Sequence, residues 1–174
     1  MLKTLRTIAA IGIVSEPPPA ADAGLRRREA LQADLLAVLG RALSIRHVDA
    51  GSCNGCELEI NALNNPIYNI EGLGIRFTAS PRHADLLLVT GPVSRHMQVA
   101  VRRTYEATPE PRLVVALGDC GCTGGIFGES DASCGRVANV IPVDVAVPGC
   151  PPSPTRILEG ILAAISRPAS IAHR

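Results

Sequence analysis

Leu86-Leu87-Leu88-Val89 is an unbroken apolar run, entered through Ala84-Asp85 and closed by Thr90-Gly91-Pro92. A short run that is apolar at every position keeps no polar face for solvent. It fits a strand buried on both sides, and such strands belong to parallel sheets covered by helices. Arg112-Leu113-Val114-Val115-Ala116-Leu117-Gly118 repeats the pattern, and Val143-Asp144-Val145-Ala146-Val147-Pro148-Gly149 is a third, shorter version. Ser44-Ile45-Arg46-His47-Val48-Asp49 alternates like a short strand, and Ile75-Arg76-Phe77-Thr78 is a further candidate. Helical patterns lie between them. One starts at Glu57 and stops at Asn64-Asn65-Pro66. A second covers 94–108, with Met97, Val101 and Tyr105 four apart. A third is capped by Ser153, with Pro154 in its first turn, and runs through Ile157, Leu158, Ile161 and Leu162. Residues 118–135 read as a long glycine-rich loop. Strands alternating with helices predict an α/β fold, with a mainly parallel sheet and helices on both faces.

At 174 residues the chain suits one domain with its own core. Aromatic residues make up only 2% and Trp is absent, so that core is built from Leu, Val, Ile and Ala. The α/β domain is expected over 44–174, behind an N-terminal extension, 1–43. In the extension, residues 1–14 are weakly amphipathic and 16–24 form a linker rich in proline and small residues. Residues 26–41 pattern as an amphipathic helix. Leu31, Leu35, Val38, Leu39 and then Leu43 share one side, against Arg27, Arg28, Asp34 and Arg41. A net charge of +1 excludes a partner chosen by charge, so no nucleic acid is expected. No apolar run is long enough to span a bilayer. Residues 7–14 are too short and poorly flanked for a secretion signal, and Arg26-Arg27-Arg28 lacks the apolar stretch of a twin-arginine signal. The expected compartment is the cytoplasm, where six cysteines argue for metal or redox chemistry over disulfides.

Four of the cysteines follow strands. Cys53 and Cys56 form a Cys-x-x-Cys turn after the first strand, Cys120 follows 112–118, and Cys150 follows 143–149. Parallel strands point the same way, so their C-terminal ends line one edge of the sheet, where ligands bind. The four thiols are therefore expected to converge there. Four thiolates suit a 4Fe–4S cluster or Zn(II). The spacing favours the cluster, because structural zinc sites usually pair two Cys-x-x-Cys turns and this chain has one. A thioredoxin-like dithiol at Cys53 and Cys56 is a third reading, but it leaves Cys120 and Cys150 without a role. Cys122 and Cys134 read as small buried hydrophobes, with Cys122, two residues from Cys120, a substitute ligand ranked below it because Cys120 sits directly at the strand end.

Several separated motifs carry a resemblance over residues 44–165. They are Cys53-Asn54-Gly55-Cys56-Glu57-Leu58-Glu59, Ser80-Pro81-Arg82-His83-Ala84-Asp85-Leu86-Leu87, Pro109-Glu110-Pro111-Arg112, and Pro142-Val143-Asp144 with Val147-Pro148-Gly149-Cys150-Pro151-Pro152. Together they resemble the small iron–sulfur subunit shared by NADH:quinone oxidoreductase (its 20 kDa, or B-type, subunit) and NiFe-hydrogenases. The resemblance implies a flavodoxin-like fold and one 4Fe–4S cluster at the C-terminal edge of the strands. Cys53, Cys56, Cys120 and Cys150 would be its ligands. It also implies an electron relay between ferredoxin-like iron–sulfur subunits and the active site of a large NiFe-hydrogenase-like or quinone-reductase-like subunit. The chain would sit peripherally on the inner face of the cell membrane, joined to membrane subunits through the complex.

The separated Cys53 and Cys56 are similar to hydrogenase small subunits, since the quinone-reductase form has two adjacent cysteines there. The rest of the chain is closer to the quinone-reductase form, and no cysteine follows Cys150 to hold the extra clusters of exported hydrogenases. The combination resembles complex-I-like hydrogenases of the formate-hydrogenlyase and hydrogenase-4 types. A quinone-reducing B-type subunit and a zinc-stabilised binding module are the alternatives. Glu57 and Glu59, beside the second ligand, are candidate proton carriers or simply a charged first helical turn. His47, His83 and His96 are candidate tuning or relay residues, and Arg82 and Arg95 candidate docking residues. Asp119, where the family often has a small neutral residue, is expected to favour the oxidised cluster by its charge.

Overall fold

The computed structural model describes residues 2–11 and 42–166. The linker at 16–24 and the amphipathic helix at 26–41 lie outside the described residues. The N-terminal amphipathic pattern forms a helix, α1 (Leu2–Ile11). Then follow β1 (Leu43–Asp49), α2 (Gly55–Ala62), β2 (Ile75–Phe77), β3 (Leu86–Thr90), α3 (Gln98–Ala107), β4 (Leu113–Leu117), α4 (Gly118–Thr123), β5 (Val145–Val147) and α5 (Pro154–Ile165).

The five strands form one sheet in the order β2-β1-β3-β4-β5, with every pairing parallel. This is the flavodoxin-like order, in which the chain steps outward from β1 to β2 and then crosses to β3 on the other side of β1. The all-apolar sequence of β3 follows from its place beside β1 and β4. Leu86 and Leu88 face one layer, where Ile60 and Leu63 meet Ile157, Leu158 and Ile161 of α5. Leu87 and Val89 face the other, with Val93, Val101 of α3, Val137 and Ile141. All four are fully buried.

Aspartates fasten the N-terminal edge. Asp85, entering β3, donates its N–H to the carbonyl of Ser44 at 2.8 Å. Its carboxylate accepts the N–H of the same Ser44 at 2.9 Å. Asp144, entering β5, does the same with Val114: its N–H donates at 2.9 Å and its carboxylate accepts at 2.8 Å. Each aspartate thus continues the ladder by one peptide and then closes it with a side chain that supplies the missing acceptor.

Two expectations need correction. Residues 118–135 are not loop throughout, because Gly118–Thr123 forms the short helix α4. The six-residue piece is closed by Gly124, which takes the left-handed conformation (φ 92°) and donates to the carbonyl of Cys120 at 2.9 Å. Ser153 does stand at the N-cap of α5 with Pro154 behind it, but its hydroxyl makes no capping hydrogen bond.

Leu88 is enclosed by both neighbouring strands and an apolar layer, so truncation leaves a cavity that cannot collapse. Leu88→Ala is expected to lower unfolding free energy by about 3 kcal/mol in urea titration, against about 0.5 kcal/mol for a surface change such as Glu106→Ala.

Candidate metal centre

The loop after β1 is shaped by Asp49, whose Oδ1 accepts the N–H groups of Gly51 and Ser52, both at 2.8 Å. Asn54 then takes a left-handed conformation (φ 72°), a tolerable strain for an asparagine, and α2 starts at Gly55. This places Cys53 on the exposed rim and Cys56 half-buried in the first helical turn.

Glu57 is drawn back across the loop. Its Oε2 accepts the Ser52 hydroxyl at 2.6 Å. Its Oε1 accepts the hydroxyl of Thr90, the fully buried last residue of β3. His47 Nε2 lies 3.4 Å from the same Oε1 and 3.0 Å from Thr90 Oγ1. With its side chain 12% exposed, Glu57 is a held group and not merely a charge in the first turn. Burial keeps the His47 imidazole below its usual range, against the opposing pull of Glu57 and Asp49. Glu59 is half-buried and takes no part in this network. Sequence patterning does not single out Ser52 or Thr90. A hydroxyl closing an all-buried strand needs a partner, and that need is the available signal.

The other two loops meet the first through glycines. Gly118 (φ 79°) turns β4 into α4, and a Cβ there would lie 2.7 Å from Cys56 Sγ. Gly125 performs the same service for Cys120, whose Sγ would be 2.8 Å from an added Cβ. Cys120 is half-buried in α4, and Cys150 is exposed just beyond β5. The loops are tied by one backbone and one side-chain bond: Asp119 N–H donates to the Gly149 carbonyl at 2.9 Å, and Gly149 N–H donates to Asp119 Oδ1 at 2.8 Å.

The four strand-end cysteines are within electrostatic reach of one another. Desolvation first, then Glu57 and the Cys53, Cys120 and Cys150 sulfurs, push the Cys56 thiol up to about 12. Cys120 is raised by burial, then by Cys150, Cys53 and Asp119. Protein alone therefore disfavours thiolates here, and a cationic centre would have to replace the protons. Among the described residues no three Cys, His, Asp or Glu side chains converge tightly enough to grip a single ion. A cuboidal cluster spreads its thiolates more widely than one zinc does. The donor set and the glycine cradles fit such a cluster.

Cys122 and Cys134 are elsewhere. The Cys122 thiol points at the Ala116 carbonyl at 3.5 Å, and burial raises it to about 11. Cys134 is packed in the apolar layer with Val93 and Val137. Arg95 donates to the Ser130 carbonyl, while Arg82, His83 and His96 are exposed.

Residues 53–164 match the family described as NADH ubiquinone oxidoreductase, 20 Kd subunit. The chain is 44% identical over 146 residues to a probable membrane-bound hydrogenase subunit, mbhJ, of Pyrococcus furiosus, covering 84% of this chain and 87% of that protein. It is 42% identical over 135 residues to formate hydrogenlyase subunit 7 of Escherichia coli, covering 78% of this chain and 53% of the relative, so it spans about half of that protein's length. It is 44% identical over 124 residues to the B-type subunit of NADH-quinone oxidoreductase from Desulfovibrio desulfuricans, covering 71% of this chain and 66% of that one. Among solved structures, a chain of the membrane-bound sulfane sulfur reductase, an archaeal respiratory membrane complex, aligns with a TM-score of 0.64 at 30% identity, covering 82% of this chain and 78% of that one.

In the metal-free chain the raised Cys56 thiol should be slow to alkylate. Iodoacetamide at pH 8, followed by peptide mass spectrometry, is expected to label exposed Cys53 and Cys150 roughly tenfold or more faster than Cys56. Equal rates at the three sites would contradict the burial described here.

Proposed function

The chain belongs to the family of the 20 kDa subunit of NADH ubiquinone oxidoreductase, and from that premise we propose that it is an electron-relay subunit holding one 4Fe–4S cluster through Cys53, Cys56, Cys120 and Cys150. One observation carries the proposal: three loops at the C-terminal edge of the sheet bring four thiols within reach of one another, with glycines where a Cβ would strike a sulfur. The bound cluster supplies one-electron chemistry. Everything else falls to the chain. Asp49 and Glu57 hold the first loop in place, Gly118 and Gly125 leave room for Cys56 and Cys120, and the exposed thiols of Cys53 and Cys150 open toward a partner.

The proposed partner covering that rim is the large subunit of a complex-I-like NiFe-hydrogenase. A ferredoxin-like iron–sulfur subunit would stand on the other side of the relay. Ile126 and Phe127, which follow the Gly125 cradle, are 93% and 55% exposed, an apolar rim beside Cys120 suited to a protein face. Among the described residues no helix is long and apolar enough to cross a membrane. Attachment to the inner face of the membrane is proposed to run through other subunits. Of the two candidate proton carriers, Glu57 is the better placed, because Thr90 and His47 already connect it to the sheet.

The hydrogenase branch is supported by the two-residue gap between Cys53 and Cys56 and by the near full-length match to a hydrogenase subunit. The quinone-reducing branch is the second reading, supported by the match to a B-type subunit at the same identity over fewer residues.

Isolation of the native complex under anaerobic conditions, through a tag on this chain, separates the branches. Electron paramagnetic resonance is expected to show a reduced 4Fe–4S signal after exposure to hydrogen. Reduction by quinol but not by hydrogen would favour the quinone branch. Zinc without iron or acid-labile sulfide would leave a zinc-stabilised binding module and sink both redox readings.

A further inference from the structure

The reciprocal link between the Cys120 and Cys150 loops has the same form as the fastenings at the opposite edge of the sheet. Asp85 with Ser44 and Asp144 with Val114 each make a reciprocal pair: the aspartate N–H donates to one residue's carbonyl and the carboxylate accepts that residue's N–H. Those two sites lie at the N-terminal ends of strands, away from the thiols, so the device there is mechanical. Asp119 and Gly149 repeat it at the C-terminal ends of β4 and β5. The two residues directly precede Cys120 and Cys150.

We propose that Asp119 is a positioning residue that makes the Cys120 and Cys150 loops one unit, and that it does so through its acceptor oxygen and not through its charge. The inference rests on the cluster assignment above and adds to it a role distinct from electrostatic tuning. Gly149 suits the arrangement because nothing larger fits. It sits at φ 143°, and an added Cβ would lie 2.6 Å from Pro152 Cα. With the Gly149 backbone so confined, the Asp119 carboxylate supplies one of the two bonds linking the loops. Loss of that acceptor strands a half-buried N–H and frees the Cys150 loop relative to Cys120. The neighbouring Gly118 packs against Cys56 Sγ, so one Gly-Asp dipeptide touches all three thiol-bearing loops.

Asparagine retains the acceptor and removes the charge, while alanine removes both. The full-length chain, loaded anaerobically with ferrous iron and sulfide, is to be challenged with a ferrous chelator. Asp119→Ala is expected to release iron about tenfold faster than the unsubstituted chain, and Asp119→Asn within about twofold of it. Alanine behaving like the unsubstituted chain would overturn the proposal. Asparagine as labile as alanine would also overturn it, because charge would then be the cause. Should the alanine variant fail to fold by circular dichroism, the asparagine variant decides: retention supports the clamp and loss overturns it. Hydrogen exchange at the Gly149 amide of the metal-free protein isolates the clamp from the cluster assignment. Protection present in the unsubstituted and asparagine chains and lost in alanine supports the clamp even if no iron or sulfide is taken up, an outcome that would overturn the cluster assignment alone. Unchanged protection in alanine overturns the clamp.

Discussion

Burial of β3 and β4 on both faces governs the rest of the molecule. A strand with no solvent face must have a layer on each side, and here those layers are α2 with α5, and α3 with the segment around Val137. Each enclosed Leu or Val contributes roughly 1.5–3 kcal/mol relative to exposure, so a single residue of register slip along β3 would forfeit several such contributions. Fixed register carries a functional consequence: strands that start in line and run parallel also end in line. Thr90, Leu117 and Val147 finish at one edge, and the chain leaving β4 and β5 has nowhere to turn but over it.

That edge is where chemistry accumulates, and the sheet imposes a conflict on it. Cys56 and Cys120 are brought from solvent into partial burial beside other sulfurs, so they resist ionisation, Cys56 most of all. The loops do not relieve this by separating, because Asp49, Glu57 and Asp119 hold them with hydrogen bonds to backbone and hydroxyl groups. Half-buried thiols held close to other sulfurs gain most from a cationic guest that would replace their protons. The carboxylates near the thiols therefore do structural work first, whatever electrostatic influence they add.

How far this was legible in the sequence depends on the kind of signal each feature has. The strands and the order of helices between them follow from local apolar patterning, and the strand-end placement of Cys53, Cys56, Cys120 and Cys150 follows from those strands. The motifs at 80–87 and 142–152 were visible as motifs, but the work of Asp85 and Asp144 was not, since each completes a ladder with a residue more than 25 positions away. The same holds for Thr90 meeting Glu57. Helix α4 has no local signal because its sequence, Gly118-Asp119-Cys120-Gly121-Cys122-Thr123, contains poor helix formers and is held by tertiary packing against β4 and β5. Cys122 and Cys134 did read as buried hydrophobes, and Cys134 lies in the apolar layer.

The proposed site has three strand-end loops of one chain enclosing one cluster through four cysteines. The most direct measurement is the Mössbauer spectrum of the full chain loaded anaerobically with enriched iron and sulfide, read beside the iron and sulfide content. Equal iron and sulfide are expected, in the amount of one 4Fe–4S cluster per chain, with the valence-averaged spectrum of an oxidised cubane. A single iron per chain with no sulfide, giving the spectrum of an isolated tetrathiolate site, would contradict it.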